Sequence, residues 1–252
     1  MRNLAATGLA ILIASQAAAI AAPASDVPFI GSDALLARYR VAIQVLKQPA
    51  NMVVEYTQTR SGPTRVVTEN HRLYRDGQGH ERNEITAING VPAIPAKVSI
   101  YTRSAWTYSA DKFFVDPDLY QVALRGRLDV NGRKSVAYAA VMKDAGAFAV
   151  TDLELDPKTA LPLRERFVAA SPTCSATGSI DFGFSGGYWL PRIVSVTCPV
   201  VLSPDAAAAI PPTAAYRDTI RFSSYSFPAE IPAQVFGLPP TPAPGATSVP
   251  QR

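Results

Sequence analysis

Cysteine and histidine are scarce, with two of each in 252 residues. His71 and His80 stand on polar segments, with only Asp76 and Glu81 close to them in sequence. A zinc site wants three or four protein ligands, so the histidines read as surface residues and no metal is expected. No Gly-x-Ser-x-Gly elbow occurs, which removes the sequence signature of an α/β-hydrolase nucleophile. No glycine loop of the phosphate-cradling kind occurs either. Asp116 and Asp118 flank Pro117, an arrangement that a turn explains; paired-carboxylate glycosidase chemistry is the weaker reading. The 24 basic and 20 acidic residues are interspersed, for a net charge of +4. Without a Lys/Arg stripe carrying interleaved aromatics, nucleic acid is not an expected partner. No unit repeats at solenoid spacing. These absences point away from an enzyme and imply no cofactor, with a hydrolase ranked last among the possible roles.

What is present is apolar content. Hydrophobic residues make up 48% of the chain and charged residues 17%, a composition that can bury a core. Met1-Arg2-Asn3 precedes an apolar, alanine-rich run from Leu4 to Ala22, with Ala19-Ile20-Ala21 as a small-x-small cleavage site. Residues 1–22 read as a secretory signal peptide, so the mature protein is expected to be soluble and exported, and periplasmic if the source is Gram-negative. A single domain is expected over residues 23–238. Residues 239–252, rich in Pro, Ala, Thr and Ser, read as a disordered tail.

Ser32 or Asp33 can cap a helix that Pro49 ends, running to about Gln48. Its apolar stripe is Leu35, Leu36, Tyr39, Ile43 and Leu46. Strands follow at Met52–Thr57, Thr64–Tyr74 and His80–Thr86, with Asp76-Gly77-Gln78-Gly79 as a turn. Ile88 to Pro95 reads as a loop from its Gly and Pro content. Val98–Tyr101, Trp106–Tyr108 and Phe113–Val115 read as short strands, and Tyr216–Tyr225 as the last one. One helical turn is expected after Ser203-Pro204-Asp205.

Between Val122 and Cys198 apolar residues recur at period two, the mark of a sheet with one buried face. Three hairpins are expected. The first turns in a three-residue loop around Asn131-Gly132, with Gly126 beneath a bulkier neighbour such as Tyr138. The second folds about Lys158 within Asp156-Pro157-Lys158-Thr159, setting Leu153 against Leu163 and Thr151 against Glu165. The third folds about Gly186, setting Phe182 against Leu190 and Cys174 directly opposite Cys198, so a Cys174–Cys198 disulfide is expected. The same register puts Trp189 on the polar face. One helix followed by about ten strands predicts a mainly β fold. Its simplest form is a strongly curved antiparallel sheet, a half-open barrel wrapped around the N-terminal helix.

That order of elements resembles the LolA/LolB-like periplasmic lipoprotein-carrier superfamily, which includes RseB-type sensor domains. Four segments carry the likeness: Trp106-Thr107-Tyr108, Val115-Asp116-Pro117-Asp118-Leu119-Tyr120-Gln121-Val122, Val130-Asn131-Gly132-Arg133, and the run from Leu153 to Arg164 with its Asp156-Pro157-Lys158-Thr159 turn. They lie mainly in residues 98–170. The resemblance implies an apolar ligand, a lipid or lipoprotein acyl chain, held between sheet and helix. Leu36, Tyr39, Ile43, Val54, Tyr56, Trp106, Tyr108, Leu124 and Tyr138 are the candidate lining, with Arg82 as polar anchor at the mouth. An alternative is a sensor or adaptor with a membrane-protein partner. Peripheral membrane contact fits either. No arginine of the carriers maps onto this chain.

Overall fold

A computed structural model describes residues 34–103, 106–171, 174–199 and 215–237. The expected signal peptide, helix cap, 203–210 turn and C-terminal tail lie outside the described residues. Among the described residues the one α-helix, α1 (Ala34–Gln44), ends four residues before the expected Gln48. Eleven antiparallel strands follow: β1 (Met52–Ser61), β2 (Val66–Arg75), β3 (Glu81–Ile88), β4 (Val91–Tyr101), β5 (Tyr120–Val130), β6 (Arg133–Met142), β7 (Phe148–Leu155), β8 (Pro162–Ser171), β9 (Cys174–Ser185), β10 (Tyr188–Cys198) and β11 (Tyr216–Ser226). They form one open, curved sheet in the order β4-β3-β2-β1-β11-β10-β9-β8-β7-β6-β5. The mainly β architecture with a single helix is as the sequence predicts.

β11 joins two meanders, pairing with β1 on one side and β10 on the other. The consequence lies at the edges. β4 and β5 are consecutive in sequence but stand at opposite margins of the sheet. The link between them, residues 102–119, must therefore cross a face. A flat sheet of eleven strands would be about 48 Å wide. Coiling of the sheet, helped by register shifts in six of its ten strand pairs, shortens that crossing.

One cross-strand row shows where the core lies. Leu124, Tyr138, Leu153, Glu165, Ile180, Val194, Ile220, Gln58 and Glu69 are each paired directly with the next, across nine strands. Paired residues share a face, so this is one row of the inner, concave side. Most of its central members belong to the hydrophobic cluster that also holds Tyr39 and Ile43 of α1.

Several expectations are corrected. The region Ile88–Pro95 is not a loop: Asn89-Gly90 makes a two-residue turn into β4. Trp106–Tyr108 is a turn, and a short 3₁₀ turn over Ala110–Phe113 replaces the expected Phe113–Val115 strand. The first hairpin loop has two residues, because Asn131 and Gly132 both take positive φ, 52° and 79°. The parity this changes is restored by a bulge at Gly126, so Leu124 rather than Gly126 faces Tyr138. In the second hairpin, Ala160 takes φ 59° and the Asp156 N–H donates to Leu161 O at 2.9 Å, so the turn is longer than expected. Leu153 accordingly faces Glu165, not Leu163. In the third, Gly186-Gly187 is a two-residue turn, so Phe182 faces Pro191, and a shift follows between Pro191 and Ile193. That turn pairs Trp189 with Phe184 and brings it inward: it is 3% exposed, and its Nε1–H donates to Pro162 O at 2.8 Å. The Cys174–Cys198 disulfide forms at a Cα separation of 5.8 Å, although the residues are offset in register rather than directly opposite.

Candidate functional site

The concave face is covered by two pieces, α1 and the 102–119 link. α1 follows Gly31-Ser32-Asp33 as an uninterrupted run of helix-tolerant residues and stops before Pro49. It turns Tyr39 and Ile43 toward the sheet and leaves Val41 and Val45 exposed. Tyr39 Oη accepts the Val115 N–H at 3.0 Å, and its ring lies 5.5 Å from that of Phe114. Gln48 Nε2 donates to Asp111 Oδ1 at 3.0 Å. Helix and link thus hold each other. Arg38 adds two donations, to the carbonyls of Pro157 and Lys158 at 3.1 and 2.5 Å, tying the helix to the β7–β8 turn.

Beneath them the aromatics form two groups. Trp106 and Tyr108 from the link meet Phe222 edge-on at 6.1 and 6.4 Å, and Tyr56 lies 5.6 Å from Phe222. Tyr56 also stacks on the buried His71 at 4.5 Å. Burial pushes the Tyr108 hydroxyl up to about 12. Burial likewise lowers the His71 imidazole, against the opposing influence of Asn83 and Glu69. Nearer the other edge, Phe113 packs against Phe148 and Phe167 at 5.2 and 5.5 Å. Gly178 is what admits the Phe167 ring: a Cβ there would lie 2.3 Å from it.

Most of the candidate lining converges here. Tyr39, Ile43, Val54, Trp106 and Tyr138 are buried in the common cluster, and Leu36, Tyr56 and Tyr108 pack against it. Leu124 lies on the same row but is more open, near the β5 edge. Arg82 does not join them. It pairs with Tyr74, on the face opposite Val54, and binds Glu84 at 2.7 Å and Val235 O at 3.0 Å.

Sequence reading missed Glu165. It is fully buried, sits in the inner row between Leu153 and Ile180, and neither carboxylate oxygen has a hydrogen-bond partner. Burial raises its pKa well above the usual carboxylate range, so the acid is held neutral. Tyr39 and Tyr120 lie close enough that a charge on Glu165, if it ionised, would add to the rise that burial gives their hydroxyls. The signal was present in the alternation Leu163, Glu165, Phe167, which puts the acid on the apolar side of β8.

The inner face therefore offers apolar and aromatic surface, one neutral carboxylic acid and a cover made of chain. Among the described residues no group of three or more His, Cys, Asp or Glu could hold a metal ion. No helix among them is long and apolar enough to cross a membrane.

No family model matches this chain, and no curated protein does. Solved structures do. A DUF1329-family protein from Desulfovibrio piger ATCC 29098 aligns at 13% identity and a TM-score of 0.42, covering 81% of this chain and 98% of that one. The LolA-superfamily protein NE2245 from Nitrosomonas europaea aligns at 10% identity and 0.43, covering 80% and 96%. A putative outer membrane lipoprotein-sorting protein domain from Vibrio parahaemolyticus aligns at 9% identity and 0.44, covering 81% and 94%.

Proposed function

We propose that this chain is an exported, non-catalytic protein that holds an apolar guest, a lipid or lipoprotein acyl group, on the concave face of its sheet beneath α1. The observation that carries this is the nature of the cover. The link crosses the trough from edge to edge, and its Trp106, Tyr108, Phe113 and Val115 occupy apolar surface that an acyl chain could cover equally well. Replacing one apolar cover by another leaves the buried area nearly unchanged, so the exchange costs little beyond the helix–link hydrogen bonds. The extreme N-terminal run supports export, and the envelope is the compartment in which such a guest and a structural disulfide coexist. Titration of the purified protein with a fluorescent fatty acid tests it. Saturable binding that weakens in Trp106→Ala and Phe113→Ala is expected. A protein that ignores the probe, and that carries no acyl ligand by native mass spectrometry when purified from its own source, would rule the guest out.

A second reading, a sensor or adaptor for a membrane-protein partner, is favoured by one feature. Edge strand β4 exposes Val91 (67%), Ile94 (90%), Val98 and Ile100, an apolar margin with unpaired backbone groups of the kind to which partner strands add. A cross-linker placed at Lys97 that captures a membrane protein, with capture surviving Trp106→Ala, would select this reading over the first.

A further inference from the structure

The outer face of the sheet carries a second feature, independent of the trough. A cavity of about 570 Å³ opens across β8, β9, β10 and β11. Three cross-strand rows build it. Arg166, Ser179, Ser195 and Thr219 are paired in succession, one residue away from the inner row on every strand. The next row runs Val168, Thr177, Thr197 and Arg217. Arg221 closes the β11 side one pair further along, opposite Ile193. Hydroxyls thus form the floor, and guanidiniums stand at opposite walls, Arg166 on β8 and Arg217 with Arg221 on β11.

The charge is one-sided. Among the described residues, no acidic one lines the cavity. Among the described residues, neither Arg217 nor Arg221 has an ion-pair partner. Arg166 lies 3.1 Å from Glu154, but that carboxylate oxygen makes no hydrogen bond, so the guanidinium keeps free donors. Elsewhere on this face arginines are paired: Arg164 forks onto Asp181 at 2.5 and 2.8 Å, and Arg125 reaches Asp152 at 2.6 Å.

We propose that this cavity binds a sugar phosphate. Guanidinium forks match the phosphoryl oxygens, which they bind better than any neutral group. The Ser/Thr floor offers both donors and acceptors at the spacing of adjacent strands, about 4.8 Å, which suits the hydroxyls of a sugar ring. The depression, about 570 Å³ and open to solvent, is wide enough to take a sugar ring beside the phosphate. The same chemistry is available as a free sugar phosphate or as the phosphorylated head of a glycolipid.

Titrating the full chain with glucose 1-phosphate, inorganic phosphate and glucose, followed by backbone amide NMR, tests the site. Saturable binding of glucose 1-phosphate is expected, at least about tenfold tighter than either part alone, with shifts in β9–β11. The double variant Arg217→Ala/Arg221→Ala is expected to weaken it by about tenfold or more, with the fatty-acid titration unchanged. Arg221→Glu alone is the second variant, should the double variant fold poorly, and is expected to lose the ligand. Vesicles of phosphatidylcholine with and without phosphatidylinositol separate the sources: pull-down by the second kind alone identifies a lipid head, and binding of glucose 1-phosphate without pull-down identifies a free one. No saturable binding, equal affinity for inorganic phosphate, or full affinity in Arg221→Glu would each overturn the proposal. Because the site lies on the face opposite α1, its failure leaves the apolar-guest reading standing, and the reverse holds too.

Discussion

Two neighbouring rows of the sheet, one residue apart on each strand, show how differently buried charge can be handled. In the inner row Glu165 stands between Leu153 and Ile180 with nothing to bond to. On the outer face Asp181 is also buried, yet it accepts two bonds from Arg164 and one from Asn131 at 3.0 Å. Burial pushes both acids upward. At Asp181 the bonds from Arg164 and Asn131 outweigh it and the net shift is downward. At Glu165 nothing opposes it. Fully buried polar groups cost stability unless bonded, so the inner row is held together despite Glu165 and the outer face partly because of Asp181.

That contrast can be broken from either side. The largest effect is expected on the inner side, where Cys198 is fully buried at the end of β10. Cys174→Ser/Cys198→Ser should cost about 3 kcal/mol in urea unfolding, since it frees a long loop in the unfolded chain. Asp181→Ala should cost about 2–3 kcal/mol by leaving Arg164 and Asn131 without their acceptor. Glu165→Leu should do the opposite and stabilise by about 1–2 kcal/mol at neutral pH, because an apolar side chain there needs no partner.

The pH dependence sharpens the contrast. For Glu165 the folded pKa lies above the unfolded one, so its penalty is absent below the unfolded value and grows as pH rises toward the folded value. For Asp181 the folded pKa lies below, so its contribution is present above the unfolded value and is lost as pH falls through the folded one. Thermal melts should therefore show a decline as pH rises above the ordinary carboxylate range, which Glu165→Gln flattens, and an acid decline that Asp181→Asn flattens. Melts in which both variants alter the same limb would contradict the assignment. The smallest effect is expected from Ser195→Ala, which should change stability by less than about 0.5 kcal/mol while weakening glucose 1-phosphate measurably.

Much of the fold was legible because period-two alternation survives in β5–β11. Those strands are buried on one face, and the pattern of Val122, Val194, Val196, Ile220 and Phe222 declares which. Registers were not legible. Each hairpin carried one feature, a second positive-φ residue at Asn131 or Gly186 or an αL Ala160, that changed the loop length and so the pairing. Trp189 moved from the polar face to a buried position through one such change. β4 hid behind its two prolines, which an edge strand tolerates and a central strand does not. The link residues Trp106 and Phe113 were recognised as apolar but taken for strands, because nothing local reveals that β4 and β5 stand at opposite margins. The hydroxyl floor was visible only as polar alternation; its convergence with Arg217 and Arg221 depends on β11 docking against β10.

The placement of β11 has a mechanical corollary. Two strands adjacent in the chain and far apart in the sheet make the segment joining them a drawstring over the mouth. A strand added to β4 would bear on the same segment that carries Trp106 and Phe113.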